Sequence, residues 1–150
     1  MSQYGYDSPK GQGDLTEKHV LKWALQDMQD AMSDLVKSGK KVYLVASMPV
    51  GVQFNPKSYF KRNFGGLWPI VPQHASRKNW DFYNKLPLQY LHQVAAESGA
   101  ILINPTDFLC DREMCLTHTE TGDVIYKDAA HLRAGFVRHH IHYFDFLFPA

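Results

Sequence analysis

An α/β fold is what this sequence predicts, and three observations carry the prediction. An amphipathic helical run near the start leads into a short apolar, β-branched run closed by a proline. The same order of helix then strand returns further along the chain. The third is that no apolar run approaches the length of a bilayer span. At 150 residues and 45% hydrophobic content the chain supports one core, and a single globular unit is expected.

Residues 1–14 are rich in Gly, Ser, Tyr and Lys without an apolar period, and read as a flexible N-terminal arm carrying no core. From Leu15 the pattern changes. Leu21, Leu25, Met28, Met32 and Leu35 recur at helical spacing, with Val20, Ala24 and Val36 widening the stripe. Asp14 or Thr16 suits the start, with Glu17 completing a capping box, and Lys37, Gly39 and Lys40 suit the end. Residues 42–48 then read as a strand buried on both faces, stopped by Pro49.

Residues 51–77 hold Pro56, Gly65, Gly66, Pro69 and Pro72 and read as one long loop, in which Ser58, Tyr59 and His74 border a conceivable pocket. A second helical stripe passes through Leu88, Leu91, Val94 and Ala95 to Ser98 and Gly99, with Pro87 either opening it or kinking an earlier turn. Residues 100–103 are the second buried strand, ended by Asn104-Pro105. A polar loop over 107–115 precedes a hairpin, residues 116–119 and 124–126 around Glu120-Thr121-Gly122-Asp123. A last apolar helix is expected over 132–148, with Val137, Ile141, Phe144 and Phe148 on one face.

A formal charge of +1, with basic residues scattered, gives no reason to expect nucleic acid or an anionic membrane as partner. The chain as given has neither a membrane anchor nor a signal peptide. Cys110 and Cys115 admit a local disulfide, a partial metal site with His118, or two free thiols; a disulfide is the leading reading. His139, His140 and His142 include a pair sharing a helix face, but no carboxylate or cysteine completes a ligand set. A solvated helix face is therefore expected there, with no metal and no cofactor.

Chemistry concentrates at residues 125–135, Ile-Tyr-Lys-Asp-Ala-Ala-His-Leu-Arg-Ala-Gly. A histidine serves as general base when a carboxylate accepts its Nδ1 proton, fixing tautomer and aim, and Asp128 lies three residues before His131. Taken alone, the pattern is short and common. Asp128 then reads first as the cap of the last helix and His131 as a satisfied, half-buried ring.

The order of motifs carries more weight than any one of them. Gly-Lys-Lys-Val-Tyr-Leu-Val (39–45), Gly-Ala-Ile-Leu-Ile-Asn-Pro-Thr-Asp-Phe-Leu-Cys (99–110), Cys115 and Tyr-Lys-Asp-Ala-Ala-His-Leu (126–132) together resemble the C-terminal portion of an SGNH hydrolase-like domain. More narrowly, the chain is similar to the SGNH domains fused behind membrane-bound acyltransferases that O-acetylate bacterial surface polysaccharides. The resemblance implies a three-layer α/β/α, flavodoxin-like fold, here without its N-terminal part, with residues 15–150 forming the C-terminal portion of one domain. It also implies that His131 is the base and Asp128 its orienter, that acyl esters of glycans are the substrates, and that a membrane acyltransferase domain is partner at the periplasmic face of the inner membrane.

Departures from the pattern are equally specific. The nucleophile of that superfamily sits in a Gly-Asp-Ser after the first strand, and neither this motif nor the oxyanion-hole Gly and Asn is visible. Gly5-Tyr-Asp-Ser8 has an Asp-Ser pair but no apolar strand before it, and the last motif continues Arg133-Ala134-Gly135-Phe136 rather than with Ser. The implied enzyme is a serine esterase or O-acyltransferase whose serine lies outside this chain, so the isolated chain is expected to be inactive. Buried strands lacking neighbours would also favour association. The competing expectation is a non-catalytic glycan-binding module with Tyr59, Trp68 and Trp80 lining an open groove.

Overall fold

A computed structural model describes residues 5–69 and 75–147. In chain order it contains β1 (Gly5–Ser8), β2 (Gly11–Asp14), α1 (Lys18–Lys37), β3 (Tyr43–Val45), two 3-10 turns (Val52–Phe54 and Pro56–Tyr59), β4 (Phe60–Asn63) and β5 (Gly66–Pro69). Then follow β6 (Ala75–Ser76), α2 (Arg77–Ser98), β7 (Ile101–Ile103), α3 (Thr106–Leu109), β8 (Met114–Cys115), α4 (Ala134–His140) and a 3-10 turn at Asp145–Leu147. The chain is thus mixed α/β. Among the described residues the strands form four two-stranded sheets, β1–β2, β3–β7, β4–β5 and β6–β8.

Where length led to one expected core, the described residues fall into two compact units. The first takes those up to Ala46 together with Lys85–Ile103, and the second takes those of Ser47–Asn84 and from Asn104 onward.

In the first unit, α1 follows from its stripe. Its cap differs from the expectation: Glu17 holds the N-cap position without a side-chain cap bond, and the bracing falls just before it, where the Asp14 N–H donates to Glu17 Oε1 at 3.3 Å and Asp14 Oδ1 accepts from the Thr16 N–H at 2.9 Å. At its other end Gly39 takes φ +82°, the Lys40 N–H reaches the Leu35 carbonyl at 3.1 Å, and the Gly39 N–H reaches the Val36 carbonyl at 2.9 Å. This is the Schellman closure that the sequence led us to expect of a glycine in that place. Leu21 and Leu25 of α1 share a shallow groove with Tyr90 and Val94 of α2.

The N-terminal residues are not the arm expected of them from Gly5 onward. β1 and β2 make an antiparallel hairpin laid on α1, tied by Tyr6 and Lys10 to Asp27. A Cβ at Gly13 would come within 2.5 Å of Val20, which is fully buried, so the missing side chain lets the backbone approach the helix. An apolar period was not needed in the hairpin because α1 supplies the apolar surface.

β3 and β7 pair in parallel, Tyr43 opposite Ile101 and Val45 opposite Ile103. The helix-then-strand rhythm is therefore present, but the strands are shorter than expected and not buried on both faces. Val45 is 44% and Ile101 42% exposed, since two strands alone cannot cover one another's faces.

In the second unit a core of Phe54, Ala75, Cys110, Cys115, Ile125 and Tyr126 is covered by Leu132 and Phe136. Cys110 and Cys115 are joined as a disulfide, which ends the metal and free-thiol readings. Arg77 fastens the start of α2 by donating to Asp107 at 3.2 Å and to the Asp111 carbonyl at 3.0 Å. The expected long loop contains the β4–β5 hairpin, and α2 runs through Pro87 rather than starting at it. The last helix is much shorter than expected. It stops at His140, after which Tyr143 is buried with its ring 4.9 Å from that of Phe108, an anchor that a continued helix would not have made from periodicity alone. Phe148, placed on its face by the sequence, lies outside the described residues.

Candidate active site

Residues 125–133 form a closed loop. The Arg133 N–H donates to the Ile125 carbonyl at 2.8 Å and the Lys127 N–H to the His131 carbonyl at 2.7 Å, while Tyr126 and Leu132 form an antiparallel bridge. Its foot is held by two fully buried side chains, Ile125 and Tyr126. The Tyr126 hydroxyl donates to the Pro49 carbonyl at 2.8 Å, and the Gly51 N–H donates to the Ala129 carbonyl at 2.8 Å. The segment after β3 therefore braces the tip that carries Asp128.

At that tip the Asp128 carboxylate accepts from the backbone N–H groups of Ala130 (2.9 Å) and His131 (3.0 Å). His131 Nδ1 lies 2.9 and 3.0 Å from its two oxygens. The Ala130 N–H first, and then the imidazole, hold the Asp128 carboxyl below the usual carboxylate range. An ionised carboxylate only accepts, so in the neutral ring the proton sits on Nδ1 and Nε2 presents its lone pair. His131 is 73% exposed, and among the described residues its Nε2 has no hydrogen-bond partner. Asp128 is thus no helix cap: α4 begins six residues later, with Arg133 at the capping position.

A second histidine meets a carboxylate, one that the sequence reading weighed only as a metal ligand. His142 Nδ1 lies 2.8 Å from Asp145 Oδ2, the two side chains being 70% and 66% exposed. No backbone N–H among the described residues fixes that carboxylate, although Tyr143 between the two partners is buried. The His-x-x-Asp spacing is the only signal that could have found it.

Other candidates are dispersed. The Ser58 hydroxyl donates to the Asn55 carbonyl, a turn contact, and His74 lies outside the described residues. Tyr59 is buried with its hydroxyl on the Gln53 carbonyl, and its ring lies 4.7 Å from that of His118, whose pKa burial pushes down. Trp80 is buried and donates to Thr106 Oγ1 at 3.0 Å. The expected open groove of Tyr59, Trp68 and Trp80 therefore does not exist; Trp68 alone of the three is exposed. No cluster of His, Cys, Asp and Glu suited to a metal occurs among the described residues, and α4 ends before His142, so His139 and His142 do not share it.

The fold and this pair define a mixed α/β chain that holds an imidazole by a carboxylate, with its second nitrogen open to a reactant. A family model described as "SGNH domain (fused to AT3 domains)" matches residues 1–144, and the chain belongs to that family. Membership ties it to esterase- and acyltransferase-related function and to AT3 acyltransferase domains. No curated protein and no solved structure matches the chain. No described helix is long and apolar enough to cross a membrane.

Proposed function

We propose that this domain is part of a serine esterase or O-acyltransferase that acts on acyl esters, acetyl foremost, of cell-surface polysaccharide. His131 is the general base, Asp128 holds its tautomer and aim, and the serine comes from outside this chain. The observation that carries the reading is the Asp128–His131 contact, with Nδ1 committed to the carboxylate and Nε2 left open. In acyl transfer, Nε2 takes the serine proton during attack on the ester carbonyl and returns it to the leaving alkoxide. The standing negative charge of the Asp128 carboxylate stabilises the imidazolium formed between those steps.

On this reading β3 and β7 are two strands of the family's larger three-layer sheet, and their exposed Val45 and Ile101 are where its other layers would rest. The attached acyltransferase domain would place the site at the periplasmic face of the inner membrane. The test compares the isolated chain with the full-length protein on p-nitrophenyl acetate. Hydrolysis is expected only from the full-length protein, and is expected to disappear in its His131→Ala variant. Robust hydrolysis by the isolated chain, abolished by His131→Ala, would refute the placement of the serine. Full activity in the full-length His131→Ala variant would refute the role of the imidazole.

A further inference from the structure

Among the described residues of the second unit, the β4–β5 hairpin exposes an apolar cluster. Phe64 at its turn is wholly in solvent, Leu67 is 69% and Trp68 56% exposed, and Phe60 at its base is 48% exposed. All four residues of β4 are exposed, so neither face of this strand rests on a core. An isolated two-stranded hairpin is marginal in water. This one is shaped nonetheless: Asn63 Oδ1 accepts from the Gly65 N–H at 3.0 Å and from the Trp68 indole at 2.8 Å, which sets both the turn and the ring.

Charge on the hairpin has one sign. The register sets Lys61 opposite Trp68 and Arg62 opposite Leu67, and Lys57 lies in the turn just before. No Asp or Glu occurs anywhere between Asp34 and Asp81. Positive heads flanking exposed Phe, Leu and Trp match a surface with anionic groups above and hydrocarbon beneath. Indole rings favour that boundary, and Lys and Arg can reach lipid phosphates while their stems stay apolar.

Alternatives fit the hairpin less well. A second copy meeting it face to face would bring Lys61 and Arg62 against their own equivalents. A sugar would need acceptors for its hydroxyls, and the hairpin offers no carboxylate, while its one exposed indole N–H is already committed to Asn63. We propose that the β4–β5 hairpin docks this domain onto an anionic lipid bilayer, seating Phe64, Leu67 and Trp68 in the interface with Lys57, Lys61 and Arg62 at the headgroups. This is independent of the role given to His131, and it revises the expectation of no anionic membrane partner drawn from net charge.

Sedimentation of the full chain with vesicles tests it. The protein is expected to partition onto phosphatidylcholine vesicles containing phosphatidylglycerol, more weakly as salt rises, and hardly at all onto phosphatidylcholine alone. Lys61→Gln with Arg62→Gln is expected to weaken partitioning about 30-fold, and Phe64→Asp to abolish it. Brominated lipid is expected to quench tryptophan emission in the parent but not in Trp68→Phe. The substituted side chains are exposed, so an unchanged thermal melt shows that folding is intact, and Phe82→Ser on an exposed face of α2 is expected to bind as the parent does. Absence of binding to the anionic vesicles at low salt overturns the proposal, as does binding that survives Phe64→Asp. Self-association or neutral-oligosaccharide binding that Phe64→Asp or Trp68→Phe removes, without vesicle binding, also overturns it.

Discussion

Asp128 grips His131 twice, once through the ring at 2.9 Å and once through the backbone N–H at 3.0 Å. The residue that orients the imidazole therefore also folds the loop that presents it. Asp128→Asn keeps the shape of the side chain while removing the charge and permitting the wrong tautomer. In the full-length protein this substitution is expected to lower kcat for acetyl-ester hydrolysis about 1,000- to 10,000-fold with little change in KM. Asp145→Asn, at the His142 contact, is expected to leave both parameters near those of the parent.

The same carboxylate gives the loop an acid limit. Its pKa is depressed in the folded chain by the Ala130 N–H and the His131 ring, so its contribution is present above the unfolded Asp value of about 3.9 and is lost as pH falls through the lower folded value. The amide shifts of Ala130 and His131 are expected to titrate together with a midpoint below about 3.9. Asp111, lowered by the Met114 and Glu113 amides, should behave alike at its own turn. Midpoints at or above the ordinary Asp value would contradict the hydrogen bonding described.

Alkaline stability turns on Tyr126. Burial, with the Tyr59 and Tyr143 phenols nearby, pushes its pKa well above the ordinary value, so the folded state resists its ionisation. Its stabilising share is whole below the unfolded value of about 10 and is lost as pH rises beyond it. Absorbance of tyrosinate at about 295 nm is expected to rise for this residue only together with loss of near-ultraviolet circular dichroism, with onset above about pH 10. Tyr126→Phe leaves the buried end of its bond to Pro49 unmet, at a cost of about 1–3 kcal/mol at neutral pH in urea unfolding.

Closing the six-residue span from Cys110 to Cys115 restricts the unfolded chain, by about 2 kcal/mol on chain-entropy grounds. Cys110→Ala with Cys115→Ala, or a strong reductant, is expected to lower stability by about that amount. Urea unfolding followed by Trp80 fluorescence reads it, because Trp80 is buried in the same unit. An unchanged midpoint under reduction would contradict a structural role for the bridge.

Legibility in the sequence followed the range of the interactions. α1 was readable except for its N-cap residue, since its stripe, its Asp14–Glu17 brace and Gly39 all act within a few residues of one another. The Asp128–His131 contact was readable for the same reason. The N-terminal hairpin was not, because its packing surface belongs to Val20 and Trp23 further along the chain. The last helix was overextended because Phe144 keeps the helical period, while the burial of Tyr143 beside Phe108 decided where the backbone leaves it.

The sequence by itself determined the alternation of helix and strand, the family, and the spacing that lets a carboxylate reach an imidazole, all matters of local period and local reach. Tertiary structure alone decided that the loop bearing that pair stands on Ile125 and Tyr126 and is braced by Pro49 and Gly51. It also decided that Trp80 and Tyr59 are buried while Phe64 and Trp68 are in solvent. An aromatic residue reads alike in sequence whether it fills a core or projects from one; which it does depends on partners many residues away that no local pattern encodes.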